Sequence, residues 1–574
     1  MDNQRLLIWA LFAFLAWITY QTWVQDYAPK PQPPAAEQSE EVLDAPGGVE
    51  IDEDLPAISD SASPDALPSA PGIAVEPVTD SAAPIITVST DVLDVVISTE
   101  GGTLKGATLK NYPVAKDTPD VLVQLLGKEG KSFGRIESGV RAASGGAEAT
   151  HLETFSTVRN SYDLGDADEL VVPLTWQDAS GVTVEKQYRF TRGSYEIGLE
   201  QVVTNGSDAP WRGAEYVRIK RHSAEMERSM FDVDSYSFIG PIVYDGDKSE
   251  KLKRDDLIED GKHEFSAQRG WIGSIQHHFL SAVVPTPGVD YKYDVGVTGN
   301  VATSSTIRRN LVSISPGARE TFATTLFVGP KLQEQLEKID DSLTLTVDYG
   351  WLTIISDPLF WLLSFVYGFV GNWGVAIIVV TFLIKLAFYK LTESSGRSMA
   401  KMRQIQPRMK ALQERYKDDR QALSQQMMEL YKREKVNPAA GCLPILIQMP
   451  FFLAFYWVLL ESVEMRQAPF ALWITDLSTR DPYFILPLIM GAALFGQQKL
   501  NPAPADPVQA KVMQIMPVMF TVFFAFFPSG LVLYWVTNTL LSIAQQWKVN
   551  KVVEAETKAQ KAHKAGGKKG ADPD

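Results

Sequence analysis

The residue with the clearest chemical potential in this sequence is a lysine inside an apolar run. The stretch VVTFLIKLAFYK, residues 379–390, places Lys385 where hydrocarbon neighbours are expected. Its ammonium group could attract carboxylates, but it would be costly in a membrane unless it meets water or a partner. Lys390 follows after about 7.5 Å of helix rise, so Lys385 could also extend to the headgroups without any further function. This segment alone leaves both interpretations open.

Polar residues in other apolar segments favour a cavity shared by several helices. Thr381 lies one turn from Lys385 on the same helix face, and Gln448 occurs early in the next apolar segment. Buried polar groups in a membrane need protein or water as partners, so such residues on different helices indicate one hydrated cavity. The last apolar segment adds a polar stripe along one helix face, formed by Tyr534, Asn538, Ser542 and Gln545.

These residue types do not predict an enzyme, a metal site or a cofactor. The single Cys442 has no second thiol to pair with, and the six histidines show no HExxH spacing. A transporter or channel would also contain a hydrated cavity, and it remains the alternative function. Against it, the sequence has no internal repeat, no acidic residue deep in an apolar segment and no matching pair of broken helices.

The apolar segments that must position these residues predict six membrane spans. Residues 1–25 resemble a signal peptide in outline, but no small-residue cleavage site follows, so we predict a retained anchor. The apolar run over 359–389 would form a helix of about 46 Å, too long for a hydrocarbon layer of about 30 Å. Residues 371–374 (GNWG) supply a break. We therefore predict an interfacial amphipathic helix at 346–371 and five spans within 372–547, at 372–392, 443–462, 483–500, 512–528 and 530–547.

Two segments without spans separate the anchor from this helical part. Residues 26–84 are rich in proline, alanine and acid, and the thirteen Asp and Glu against one Lys over 26–86 account for most of the net charge of -15. Such a composition predicts a disordered linker. Residues 85–345 show period-two patterns such as VTVEKQYRF and turn signals such as Asn205-Gly206, which predict a large all-β sandwich.

Positive charge predicts the topology. Residues 393–443 hold eleven Lys and Arg against six acids, and the tail over 548–574 holds seven Lys against four acids. Both segments are therefore expected in the cytoplasm, which with six spans places both termini there and the β domain on the other side.

The two cytoplasmic segments suggest partners. Residues 393–443 predict a helical hairpin, which is either a solvated connector or a docking element. The docking interpretation relies on apolar residues at helical spacing: Met402, Ile405, Met409, Leu412, Met427, Met428 and Leu430. The basic tail, expected to be disordered, could bind anionic lipid or ribosomal RNA, in either case without reading a specific nucleic-acid sequence.

Three segments resemble the YidC/Oxa family of membrane-protein insertases: NPAAGCLPILIQMPFFLAFYWVL (437–459), RQAPFALWITDLS (466–478) and FPSGLVLYWVTNTLLSIAQQ (527–546). The anchor, linker and β domain resemble the form found in Gram-negative bacteria. The resemblance implies a polytopic α-helical protein of the inner membrane with six transmembrane helices, five of them forming the insertase core, and a large periplasmic β-sandwich domain. It also implies a hydrophilic groove that receives nascent membrane proteins, with the Sec translocon and the ribosome as partners and no enzymatic activity.

The same resemblance implies the client contacts. Lys385 stands where the family usually has arginine, so positive charge is kept but the planar fork of guanidinium donors is lost. Lys390 stands where the family often has proline. The family's β domain resembles a sugar-binding supersandwich, but because we find no convincing carboxylate pair, a scaffold or partner-docking role is favoured over glycosidase activity. The expected groove residues are Lys385, Thr381, Gln448, Met449, Pro450, Tyr534, Trp535 and Asn538.

Overall fold

The computed structural model describes residues 55–56, 84–223, 237–416, 419–434, 436, 443–500 and 507–567. The predicted anchor over 1–25 lies outside these residues. Of the predicted linker over 26–84, the structure describes Leu55, Pro56 and Pro84.

The β-rich part is a sandwich of two sheets, as the period-two patterns predict. In β8 the buried positions alternate with half-buried ones, and Val184, Tyr188 and Phe190 face the core. The strands are β1 (Ile85–Ser89), β2 (Leu93–Ser98), β3 (Leu104–Ala115), β4 (Thr118–Leu126), β5 (Gly134–Ala142), β6 (Ser161–Asp163), β7 (Glu169–Gln177), β8 (Val182–Thr191), β9 (Glu196–Asn205), β10 (Trp211–His222), β11 (Ile239–Tyr244), β12 (Ser249–Lys251), β13 (His263–Ala267), β14 (Trp271–Gln276), β15 (Phe279–Pro285), β16 (Tyr291–Thr298), β17 (Val301–Arg308), β18 (Val312–Ile314) and β19 (Arg319–Pro330).

Eleven of these strands form the larger sheet, in the order β13-β16-β17-β10-β5-β3-β2-β1-β6, with β18 paired to β10 and β4 paired to β3. The other eight have the order β12-β11-β14-β15-β19-β9-β8-β7. The two sheets share one apolar core.

The helical part follows the sandwich. Among the described residues, two short α-helices belong to the β domain, and eight more follow from Thr353 onward. They are α1 (Arg254–Glu259), α2 (Gln333–Ile339), α3 (Thr353–Val370), α4 (Trp373–Ala387), α5 (Tyr389–Arg415), α6 (Arg420–Arg433), α7 (Leu443–Glu461), α8 (Ile485–Leu500), α9 (Pro507–Phe524) and α10 (Ser529–Gly567).

The break between α3 and α4 falls where the sequence predicts it. Gly371 closes α3 with a φ of 62°, a left-handed conformation that glycine adopts readily, and its N–H donates to the Tyr367 carbonyl at 2.7 Å. The Asn372 side chain then accepts a hydrogen bond from the Val375 N–H at 3.0 Å and caps α4. The long apolar run is thus two helices.

By length and composition, one described helix, α3, could cross a membrane by itself. The pair α4 and α5, bent by 70° at Phe388, meets the same criterion together. The shorter apolar helices cover Ile447–Glu461, Ile485–Leu500 and Lys511–Phe524. The predicted last span, 530–547, is the first half of α10, which continues through the predicted disordered tail to Gly567.

The hairpin forms from α5 and α6, but its apolar residues do not make the docking surface that the sequence suggested. Ile405, Met409 and Leu430 are buried against one another, and Met402, Leu412 and Met427 pack around them. Of the set named for docking, only Met428 is exposed, at 43%. Helical spacing predicts an apolar stripe but does not say whether the stripe contacts a partner protein or the other helix of the same hairpin. In this structure it contacts the other helix.

The β-sandwich contacts the C-terminal end of α7. The His277 and His278 rings both lie within hydrogen-bond distance of the Leu460 carbonyl, with Nε2–O distances of 3.0 and 2.9 Å. Lys331, just after β19, forms a buried ion pair with Glu461 at 3.1 Å. The β domain therefore holds the end of a helix whose other end carries Gln448.

Candidate functional site

Lys385 lies in the last turn of α4 and points across the helical bundle. Its ammonium donates a hydrogen bond to the Ser542 hydroxyl on α10 at 2.7 Å, and that hydroxyl donates to the Asn538 carbonyl at 2.7 Å. Within the described part of the chain, this is the one hydrogen bond that Lys385 makes. The ammonium is directed toward α10, whereas Lys390 lies on α5 beyond the bend and is exposed.

Lys385 lines a cavity of about 550 Å³. A small adjoining cavity of about 30 Å³ extends from it between α4, α7 and α10. The larger cavity extends from Thr392, Ser395 and Met399 on α5 to Phe524 at the end of α9. At the start of α10, the Ser529 N–H and hydroxyl donate to the Thr479 carbonyl, both at 2.7 Å, so this end of the helix contacts the loop between α7 and α8.

Seven of the eight expected groove residues line these cavities. Lys385, Gln448 and Asn538 border both of them, while Met449 and Trp535 border the larger, and Thr381 and Tyr534 the smaller. Pro450 is half-buried inside α7 and lines neither cavity. Thr381 donates to the Ile377 carbonyl at 2.6 Å, so its hydroxyl is satisfied within its own helix.

Sequence reasoning missed the polar residues that α5 and α8 contribute. Thr392 and Ser395 line the larger cavity from the first turns of α5, and Gln497 and Gln498 line it from the end of α8. The GQQKL sequence at the end of an apolar segment was a signal for the glutamine pair. The contribution from α5 depends on the bend at Phe388, which no motif indicates.

The opposite wall of the larger cavity is apolar. Methionine and phenylalanine dominate it, and methionine side chains adapt to partners of different shape. The cavity thus has a polar side, formed mainly by α4, α5 and α10, and an apolar side. The apolar side consists of Met449, Phe452, Leu494, Met513, Met516, Pro517, Phe520, Phe523, Phe524 and Trp535.

A buried lysine of the β domain, by contrast, is saturated with hydrogen bonds. Lys186 in β8 is fully buried and donates to the Gly101 carbonyl at 2.6 Å and to the carbonyl and hydroxyl of Ser138 at 2.7 and 3.0 Å. Burial lowers the pKa of Lys186 to about 7. Among the described residues, no group of three or more His, Cys, Asp or Glu could hold a metal ion.

A helical bundle that encloses a half-polar, half-apolar cavity and is joined to a β-sandwich suits a membrane protein that handles other polypeptides, although a transporter could also contain such a cavity. The family comparisons agree with this class. Residues 365–557 match the family model described as 60Kd inner membrane protein, and residues 85–362 match that described as YidC periplasmic domain.

Full-length relatives give the same result. A membrane protein insertase YidC from Thioalkalivibrio sulfidiphilus is 46% identical over 96% of this chain and 99% of its own length. Another from Nitrosococcus oceani is 44% identical over 97% of this chain and 100% of its own. A solved structure of an active YidC insertase, 19% identical, covers 81% of this chain and 92% of its own with a TM-score of 0.38.

The chain belongs to the YidC family of membrane protein insertases. The family is found in the inner membrane, with the β-sandwich in the periplasm, and its members are insertases and not enzymes. These matches do not support the transporter alternative.

Proposed function

We propose that this insertase receives polar segments of nascent membrane proteins in the cavity beside Lys385. The observation that carries the proposal is the ammonium in the cavity wall, with one hydrogen bond to Ser542 and none to a carboxylate in the described residues. A charge on a client segment costs roughly 2.5 to 3.5 kcal/mol at the bilayer centre on insertion scales. A cavity that reaches part of the way across the membrane shortens the apolar path for that charge.

Lys385 attracts acidic client residues in this mechanism. Between an ammonium and a carboxylate about 4 Å apart near a protein surface, the attraction is about 4 kcal/mol, enough to offset much of the cost of entry. Thr381, Gln448, Tyr534 and Asn538 provide hydrogen-bonding neighbours on the polar side. Because an ammonium has no planar fork, we expect charge and not a fixed two-pronged geometry to matter.

The apolar side receives the client's hydrophobic helix. Met449, Trp535 and the phenylalanines of α9 adjoin this space, and Pro450 follows Met449 in α7. Many side chains of α8 and α9 are exposed although they are apolar, for example Leu488 at 63% and Val518 at 65%. A surface of this kind suits lipid, so a client helix can pass from the cavity into the bilayer.

We further propose a multi-pass topology of six transmembrane helices. It consists of the anchor over 1–25 and five spans within α4 to α10, with α3 in the periplasmic interface. The excess of Lys and Arg in 393–443 and in 548–574 supports a cytoplasmic hairpin and cytoplasmic termini. The cavity then opens toward the cytoplasm, where nascent chains arrive.

The Sec translocon and the ribosome are proposed partners. The α5–α6 hairpin encloses its own apolar residues, so a ribosome would meet its basic surface and the lysines of the tail. Such contacts are electrostatic and independent of nucleic-acid sequence, and they weaken with salt. For the periplasmic domain we propose a scaffold role, supported by its contacts with the end of α7.

Depletion of the insertase in the native bacterium tests the proposed function. A single-spanning client with an acidic periplasmic tail is expressed, and the protease accessibility of that tail from the periplasmic side is measured. We expect the tail to become inaccessible on depletion and accessible again when this chain is supplied. Unchanged accessibility would contradict the proposal.

A further inference from the structure

The acidic linker touches the β domain at one described place. Leu55 packs against a small apolar cluster separate from the main core, formed by Ala214, Tyr216 and Ile307 with Leu311 beside them. The Arg141 guanidinium donates to the Pro56 carbonyl at 3.1 Å. A side-chain contact and a main-chain contact thus come from neighbouring linker residues.

The residues that receive Leu55 form one patch on the outer face of the eleven-stranded sheet. Ala214 lies opposite Arg141 in the β10–β5 pair, and Tyr216 lies opposite Ile307 in the β10–β17 pair. Residues opposite each other in antiparallel strands point to the same face. Val217 and Ile219, on the other face of β10, belong to the main core.

The patch is held in place without Leu55. The Tyr216 hydroxyl lies 2.7 Å from His151 Nδ1 and accepts a hydrogen bond from the His151 N–H at 3.0 Å. Arg141 also pairs with Glu148 at 3.0 Å. Fixed side chains on a sheet lose little conformational entropy on binding, so a short segment can dock there.

Charge favours the acidic linker as the occupant. Asp52, Glu53 and Asp54 directly precede Leu55 in the sequence. Arg141 and Arg212 lie on the face that receives it, since Arg212 is two residues before Ala214 on β10. The linker over 26–86 carries a balance of -12, and this basic edge is complementary to it.

We propose that Leu55 and Pro56 form an internal docking motif that fastens the acidic linker to the outer face of the eleven-stranded sheet. Docking shortens the tether between the first membrane anchor and the β domain. The longest possible path falls from about 200 Å over residues 26–84 to about 100 Å over residues 26–54. The anchor is then restricted to within about 100 Å of the docking site.

The linker itself offers a matched control. A second Leu-Pro pair, Leu67-Pro68, follows twelve residues later but is preceded by Asp-Ala and not by three acids. The experiment uses the full chain in detergent with Cys442→Ser, and introduces Asn310→Cys together with either Ala57→Cys or Ser69→Cys, so that both Leu-Pro pairs and the patch stay intact. A short bismaleimide is added, and cross-linked chain is measured by gel mobility after proteolysis between the two sites.

We expect the Ala57→Cys pair to cross-link at least tenfold faster than the Ser69→Cys pair. Neutralising the acids with Asp52→Asn, Glu53→Gln and Asp54→Asn should slow the reaction, as should Arg141→Ala. Equal rates for the two cysteine pairs would overturn the docking motif. If cross-linking stayed equally fast after the three acids were neutralised, charge would not be what directs this part of the linker to the patch.

Discussion

Lysines in the β domain and in the groove have opposite surroundings. Lys186 donates three hydrogen bonds inside the sandwich, and Lys331 pairs with Glu461 where the sandwich meets α7. Lys385 borders a cavity of about 550 Å³ and donates a single hydrogen bond among the described residues. A saturated ammonium fixes structure, whereas one with donors left over beside open space can receive a carboxylate from another chain.

The largest effect on stability should come from breaking the buried ion pair of Lys331 and Glu461. Lys331→Met leaves the Glu461 carboxylate buried without its cation, and we expect a loss of roughly 3 to 5 kcal/mol in the free energy of unfolding. The double variant Lys331→Met, Glu461→Leu should recover most of this loss. Urea unfolding in detergent, followed by tryptophan fluorescence, measures both.

The matched control is the exposed pair of Lys338 and Glu334, whose side chains are 69% and 85% exposed. Lys338→Met should change stability by less than about 1 kcal/mol. If Lys331→Met also lowered the free energy of unfolding by less than about 1 kcal/mol, the ion pair would not stabilise the contact between the β domain and α7. Lys331 would then not be a structural lysine.

A second prediction concerns how stability depends on pH, through Glu464 at the contact between the β domain and the end of α7. Burial raises the pKa of Glu464, which follows α7, to about 7. Because this carboxyl binds its proton more tightly in the folded chain, its contribution to stability is full below the unfolded pKa, near 4.5, and is lost as pH rises through 7. We expect the wild-type chain to lose more stability than Glu464→Gln between pH 5 and pH 8.

Thermal unfolding of both chains at several pH values measures this difference. Glu334→Gln is the control, since Glu334 lies on the exposed surface of α2. Parallel pH profiles for wild type and Glu464→Gln would contradict the raised pKa.

The smallest effect, on client insertion, should come from replacing Ser542, the hydrogen-bond partner of Lys385. Ser542→Ala removes the hydroxyl that accepts from Lys385 but leaves the ammonium in the cavity. We expect client insertion to stay within about twofold of wild type, since the charge that attracts the client is unchanged and water can replace the lost hydrogen bond. A loss as large as that from removing the charge would show that the position of Lys385, set by Ser542, matters more than its charge.

Local patterns predicted much of the fold. The alternation in VTVEKQYRF and the GNWG break each depend on neighbouring residues, and the structure has a strand and a helix boundary there. The same alternation put Lys186 on the buried face, but its partners, Gly101 and Ser138, come from distant strands. Sequence could not supply that network.

The site was predictable where polarity was unusual for its surroundings. Lys385, Gln448 and Asn538 stood out within apolar segments, and they border one cavity. The bend at Phe388 and the pairing of α5 with α6 depend on tertiary packing. These features bring Ser395 to the cavity and bury Met409, and a pattern within one segment does not reveal them.

The most direct test of the groove mechanism measures insertion of an acidic-tailed, single-spanning client by Lys385→Ala, Lys385→Arg and the nearby control Lys390→Ala in insertase-depleted cells. We expect Lys385→Ala to lower the translocated fraction about tenfold, since a tenfold change corresponds to about 1.4 kcal/mol, which is well within the attraction of about 4 kcal/mol between close opposite charges near a protein surface. Lys385→Arg and Lys390→Ala should insert as wild type does, and a client with a neutral tail should be unaffected by all three. Equal insertion of the acidic client by Lys385→Ala and wild type would contradict the account.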